Sequence, residues 1–98
     1  MSLKSVLKML EINYSNQFKK DFKKIRKLPI LDLKKIFEVI LVLENQHKLD
    51  AFFKDHELSG QFSHFRECHI KPDLLLIYRI KDNNLELARI GSHSELFG

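Results

Sequence analysis

The stretch LLLIYRIKDNNLELARI, residues 74–90, decides the fold. Leu74-Leu75-Leu76-Ile77-Tyr78 is a short apolar run, as expected of a central strand covered on both faces. The reading predicts one strand over residues 74–81 and another over residues 85–90. Asp82-Asn83-Asn84 forms the hairpin turn between them, because Asn and Asp tolerate positive φ. Working upstream, residues 62–70 predict a third strand. Pro72 falls between two strands, where its missing N–H costs no ladder bond.

Further upstream the period changes. Glu11-Ile12-Asn13-Tyr14 alternates and predicts a short strand. Ser15 or Asn16 can cap a helix, since a side-chain oxygen there satisfies a free backbone N–H. Phe18, Phe22, Ile25 and Leu28 follow as one apolar stripe, with lysines on the other faces. Pro29 ends that helix. A second runs from about Leu31 to Leu43 and buries Leu33, Ile36, Phe37, Ile40 and either Leu41 or Leu43. The link is short, so the two helices form a hairpin. Residues 44–60 read as a long loop, a kind that tends to be functional or mobile. The resulting order, β-α-α-β-β-β, is an α+β domain with an N-terminal helical hairpin packed on an antiparallel-rich twisted sheet.

Ninety-eight residues suit one domain with one modest core. Residues 10–98 are assigned to it. Residues 1–9 read as a leader or remnant, too short and too lysine-punctuated for a secretory signal. No apolar run approaches the ~20 residues of a membrane helix. The lone Cys68 excludes an internal disulfide and is compatible with a reducing cytoplasm. Charge is uneven: residues 1–48 hold ten Lys and one Arg against five acids, while residues 49–98 hold six basic residues against eight acids. A basic half joined to a mildly acidic half suits either a polyanion-binding surface or a solvated helix face.

Four of the five histidines, His56, His64, His69 and His93, lie in the second half. His56 falls in the long loop, His69 ends one strand and His93 follows another. Neighbouring strands would let these three converge. Histidine can take or give a proton near neutral pH. Cleavage of an RNA phosphodiester needs a base for the 2′-OH, an acid for the departing 5′ oxygen and a cation for the charge between them. His56, His69, Asp73, Arg89 and His93 contain that kit. Arg89 can hold two phosphate oxygens at once. Each residue also has a plainer reading. His47 and His64 are surface or structural residues, Asp73 caps a turn, and Arg89 lies on one sheet face with Leu85 and Leu87, covering it with its stem. Cys68 and His69 are adjacent on a strand and point to opposite faces, which argues against a Cys/His nucleophile. Zinc is weakly signalled, since no HExxH or paired cysteines occur.

"KDHELSG", "FRECHIKPDLLLIYRI" and "LARIGSHSELFG" together resemble the YafQ-like branch of the RelE/ParE superfamily of bacterial toxins. That resemblance covers nearly all of residues 10–98. It implies the RelE-like fold and an endoribonuclease that cuts mRNA, usually in the ribosomal A site, leaving a 2′,3′-cyclic phosphate without a metal or other cofactor. It also implies a cognate antitoxin, a cytoplasmic setting and a toxin that is monomeric until the antitoxin assembles it into a larger complex. Carried over residue by residue, the site comprises His56, His69, Asp73, Arg89, His93 and the near-terminal aromatic Phe97. Lys19, Lys20, Lys23, Lys24, Lys27, Lys54 and Arg66 are the expected RNA contacts, since basic side chains bind phosphate without reading sequence. Two departures stand out: Glu67 where some relatives have aspartate, and Leu74 where some have tryptophan. The rival functions are a ParE-like toxin acting on a protein target, a non-catalytic RNA-binding module and a metal-dependent nuclease.

Overall fold

Ser15 starts the first helix as its sequence position suggests. In the computed structural model, which describes residues 8–98, its Oγ accepts from the Phe18 N–H at 2.9 Å. The elements are β1 (Glu11–Tyr14), α1 (Asn16–Ile25), α2 (Ile30–Glu44), β2 (His56–Glu57), β3 (Arg66–Lys71), β4 (Leu74–Lys81), β5 (Asn84–Gly91) and α3 (His93–Phe97). Pro29 sits at the N-cap of α2, where a proline's missing N–H is not needed. Most of the leader assigned to residues 1–9 lies outside the described residues.

The sheet order is β1-β5-β4-β3-β2, with β1 parallel to β5 and every other pair antiparallel. Asp82 and Asn83 form the two-residue β4–β5 turn, with φ of 51° and 66°. Such turns require positive φ at both central positions, and their twist matches that of the strands. Phe18 and Ile25 of α1 and Ile36, Val39, Ile40 and Leu43 of α2 pack on Leu74, Leu76, Tyr78, Leu85 and Leu87. The opposite sheet face carries a smaller core of Leu75, Ile77 and Leu96, with Leu58, Phe62, Phe65 and Ala88 against it. β4 is thus covered on both sides.

Three expectations change. Phe62 belongs to a 3₁₀ turn, Gly60–Phe62, and β3 starts at Arg66. The long loop contains β2, which pairs His56 with Glu67 and Glu57 with Arg66. Phe37 is exposed and Leu41 with it, while Val39 is buried. Apolar residues surround α2 on most sides, so periodicity alone does not fix which side faces the sheet. Phe37 and Leu41 instead line an open apolar groove of about 590 Å³ with Ile12, Tyr14, Phe18 and Phe22.

Two β-bulges shape the face away from the helices. Tyr78 pairs with Leu87 but Ile77 with Arg89, leaving Ala88 as the extra residue. The bulge breaks the alternation and turns Arg89 to the Ile77 face, opposite to that of Leu85 and Leu87. A second irregularity falls at Ile70, between the pairs His69–Leu75 and Lys71–Leu74.

Candidate active site

Strand alternation in β3 sends Cys68 and Ile70 into the main core and puts Glu67 and His69 on the other face. Glu67 is only 4% exposed. A buried carboxylate requires a partner, and two imidazoles supply it. His69 Nε2 lies 3.0 Å from Glu67 Oε1, and His56 Nε2 lies 3.7 Å from the same oxygen. His56 reaches it because Lys54 adopts a left-handed conformation, φ 51°, that turns the chain toward β3. His56 Nδ1 donates to the Lys54 carbonyl at 2.7 Å, which fixes the ring's orientation. Next to it, Asp55 is tied to the sheet: the Tyr78 hydroxyl donates to it at 2.7 Å and Arg66 Nε at 3.3 Å. Burial, followed by the Asp55 carboxylate, pushes the Tyr78 hydroxyl above its ordinary value.

The opposite end of the site is held by the β3–β4 turn and α3. Asp73 Oδ1 accepts from the His93 backbone N–H at 2.9 Å and from His93 Nδ1 at 3.1 Å. The backbone bond, then the ring bond, holds the Asp73 carboxyl below its usual range. Ser92 caps α3 with a reciprocal capping box: its Oγ accepts from the Glu95 N–H, and Glu95 Oε1 accepts from the Ser92 N–H. His93 is therefore anchored by both its backbone and its ring, with Nε2 left for other work.

The aromatic rings form a continuous wall. His56 and His69 have centroids 6.2 Å apart, His69 and His93 5.7 Å, and His93 and Phe97 6.3 Å. Phe62 meets Phe97 edge-on at 5.8 Å. His56, His69, Asp73, His93 and Phe97 are thus gathered as the sequence suggests. The sequence reading left Glu67 out of the site; its i, i+2 spacing from His69 was the available signal. His56, Glu67 and His69 also present donor atoms all within 4.8 Å of one another, a set that suits a borderline cation such as zinc or copper.

Arg89 differs from its expected form. Its Nε and Nη2 bond Asp21 of α1 at 2.8 and 3.2 Å, and Asp21 also accepts from the Ile90 N–H at 3.1 Å. Burial opposes ionisation of Asp21, but Arg89, the Ile90 N–H and Gln17 outweigh it and lower its pKa. Arg66 likewise spends its guanidinium on Asp55 and on Glu57, the latter at 3.5 Å, and so holds the loop. Lys54 and the lysines Lys19, Lys20, Lys23, Lys24 and Lys27 are exposed. Cys68 is fully buried; burial, then Asp55 and Glu67, pushes its thiol up to about 12. His47 and His64 are exposed and stand apart from the ring wall. Leu74 is buried in the main core.

Residues 10–98 match the family described as a bacterial toxin of type II toxin-antitoxin system, YafQ. The chain belongs to the YafQ toxin family. It is similar to the mRNA interferase toxin YafQ of Escherichia coli K12, at 38% identity over 90% of this chain and 96% of that one. It also resembles the toxin in the E. coli DinJ–YafQ toxin-antitoxin complex, at 36% identity and a TM-score of 0.76, covering 92% of this chain and 99% of that one. A metal-bound toxin from Helicobacter pylori is similar at 46% identity and a TM-score of 0.80, covering 91% of this chain and all of that one. The RelE-like α+β architecture expected of the YafQ family is the one found, with β2 and α3 added to the expected order.

Proposed function

We propose that this protein is the toxin of a type II toxin–antitoxin system and cuts mRNA at the ribosome by metal-independent acid–base catalysis. The continuous wall of His56, His69, His93 and Phe97 carries the reading. Two imidazoles with centroids 5.7 Å apart can flank one phosphodiester. One takes the proton of the ribose 2′-OH as that oxygen bonds phosphorus. The other gives a proton to the 5′ oxygen as the P–O5′ bond breaks. A 2′,3′-cyclic phosphate and a 5′-hydroxyl result, with no net change in protons. Glu67 and Asp73 orient His69 and His93, Arg89 steadies the equatorial oxygens, and Phe97 stacks a base. The basic face of α1 with Lys19, Lys20, Lys23 and Lys24, together with Lys27 in the turn that follows it, suits ribosomal RNA phosphates.

The partner expected is an antitoxin. An amphipathic segment of it would bury apolar side chains in the groove at Tyr14, Phe37 and Leu41. The setting is cytoplasmic; no helix among the described residues is long and apolar enough to cross a membrane. Capture of a cation by His56, Glu67 and His69 is a second reading, favoured by their donor spacing. Such an ion would occupy imidazole nitrogens needed for proton transfer, so added copper or zinc inhibits and EDTA does not.

The test compares wild type, His93→Ala and Phe97→Ala on one transcript, with and without ribosomes and EDTA. Loss of a proton-transfer group costs ~10²–10⁴-fold in rate. Loss of a stacking face costs ~1–3 kcal/mol, or about 5- to 150-fold. Equal, small losses, or cleavage abolished by EDTA, would overturn the mechanism.

A further inference from the structure

A cavity of about 350 Å³ opens beside His69, lined by Ala51, Phe52, Lys54, His69, Lys71 and Pro72. It meets the ring wall at His69, whereas Phe97 meets it at His93. Phe52 is 68% exposed, yet its backbone and ring both have partners. Asp50 Oδ1 accepts its N–H at 2.8 Å and caps the 3₁₀ turn Ala51–Phe53. Phe53 packs against the main core and supports the Phe52 ring edge-on at 5.5 Å. Lys35 Nζ lies over the Phe52 ring, 5.6 Å from its centroid. Ile30, also exposed, lines a separate groove with Lys34, Phe37 and Leu41 that contains no histidine. Lys54 forms no ion pair among the described residues, while Lys71 is shared with Asp32 at 3.1 Å.

An exposed aromatic ring with lysines beside it, at the end of an acid–base pair, has the chemistry of a nucleotide site. Bases stack on aromatic faces whatever their sequence, and lysines hold the backbone beside them. We propose that the Phe52 cavity is a second nucleotide subsite, holding the base that flanks the cut on the side away from Phe97. The inference rests on the nuclease reading above. RNA then crosses the wall with one base on Phe97, the scissile phosphate at His93 and His69, and the next base on Phe52, its phosphate near Lys54. The cavity volume lies at the lower end of the ~300–1,000 Å³ usual for small-molecule pockets, enough for one nucleotide.

Two measurements test it. Short RNAs carry one abasic nucleotide on either side of the mapped cut and are cleaved by wild type, Phe52→Ala, Phe52→Trp and Phe97→Ala. On one flank the abasic site raises wild-type KM by about five-fold or more, the low end of base stacking. It adds little in Phe52→Ala, and Phe52→Trp restores the full penalty. On the other flank the coupling is to Phe97. Effects that simply add for Phe52 on both flanks overturn the proposal. The chain has no tryptophan, so Phe52→Trp also gives a single reporter. A non-cleavable 2′-O-methyl RNA quenches it and leaves Ile80→Trp, at the far end of β4, unchanged. Failure of wild type to cut any RNA refutes the nuclease reading; an unquenched Trp at position 52 refutes the subsite.

Discussion

Replacing Asp21 with alanine should loosen the protein and weaken its hold on phosphate together. Asp21 accepts four hydrogen bonds: two from Arg89, one from the Ile90 N–H and one from Gln17. Its side chain is 10% exposed and that of Arg89 21%. Alanine leaves a half-buried guanidinium and the Ile90 N–H without their acceptor. Bonds to charged groups contribute ~1.5–3 kcal/mol each, and breaking a fully buried pair costs ~3–5 kcal/mol. Partial exposure of this pair brings the expected loss to about 2–4 kcal/mol. For a domain of this size that lowers Tm by roughly 10–30 °C. The pH dependence is more diagnostic. The folded carboxyl sits below the ordinary 3.8, so its stabilisation is fully present above that value and fades as pH falls through the folded pKa. Asp21→Asn removes that titration. Urea denaturation at several pH values should therefore show the gap between wild type and Asp21→Asn shrinking below about pH 4. A gap of the same size at pH 7 and pH 3 would show that Asp21 contributes by packing and not by charge. An unchanged Tm for Asp21→Ala would refute the reasoning outright.

Asp73→Ala should lower kcat ~10–100-fold with little change in KM, as His93 loses its anchor; Asp73→Asn keeps an acceptor oxygen and should recover most of it. Gly91→Ala would put a methyl 3.0 Å from Glu95 Oε1 and 3.3 Å from Leu96 Cδ2. That disturbs the α3 capping box, costs ~1 kcal/mol by thermal melt and reduces cleavage through His93. Cys68, with its thiol near 12, should resist a thiol-specific disulfide reagent until the protein unfolds. Because the unfolded thiol ionises near ~8.5 and the folded one does not, stability should decline as pH rises above about 9 and level off near 12.

The β4–β5 hairpin was readable from Asp82 and Asn83, since few residues other than glycine adopt positive φ so readily. The α1 phase was readable because Phe18 and Ile25 stand among lysines. Phe37 was misplaced because α2 offers nearly as much apolar surface outward as inward. Convergence of His56, His69 and His93 followed from strand order. The partner of Arg89 did not. It depends on the extra residue Ala88, which reverses the alternation, and on Asp21 arriving from a helix 68 positions earlier. Glu67 was hidden by its charge: acids on strands are usually exposed, and only two nearby imidazoles make this one tolerable inside.

β1 lies parallel against β5, with Glu11 opposite Asn84 and Ser15 bonded to Ala88. The earliest strand of the sheet is therefore zipped to its latest, and that closure spans most of the polypeptide. Hairpins β3–β4 and β4–β5 need only short excursions, so they are expected to nucleate first, with β1 and α1 docking afterwards. In that sequence of events His69 and His93 meet early, but Arg89 gains its counter-ion only in the final step. An incompletely folded molecule would carry its proton-transfer groups before its phosphate cation is aimed, and so would assemble the outline of the centre ahead of its power.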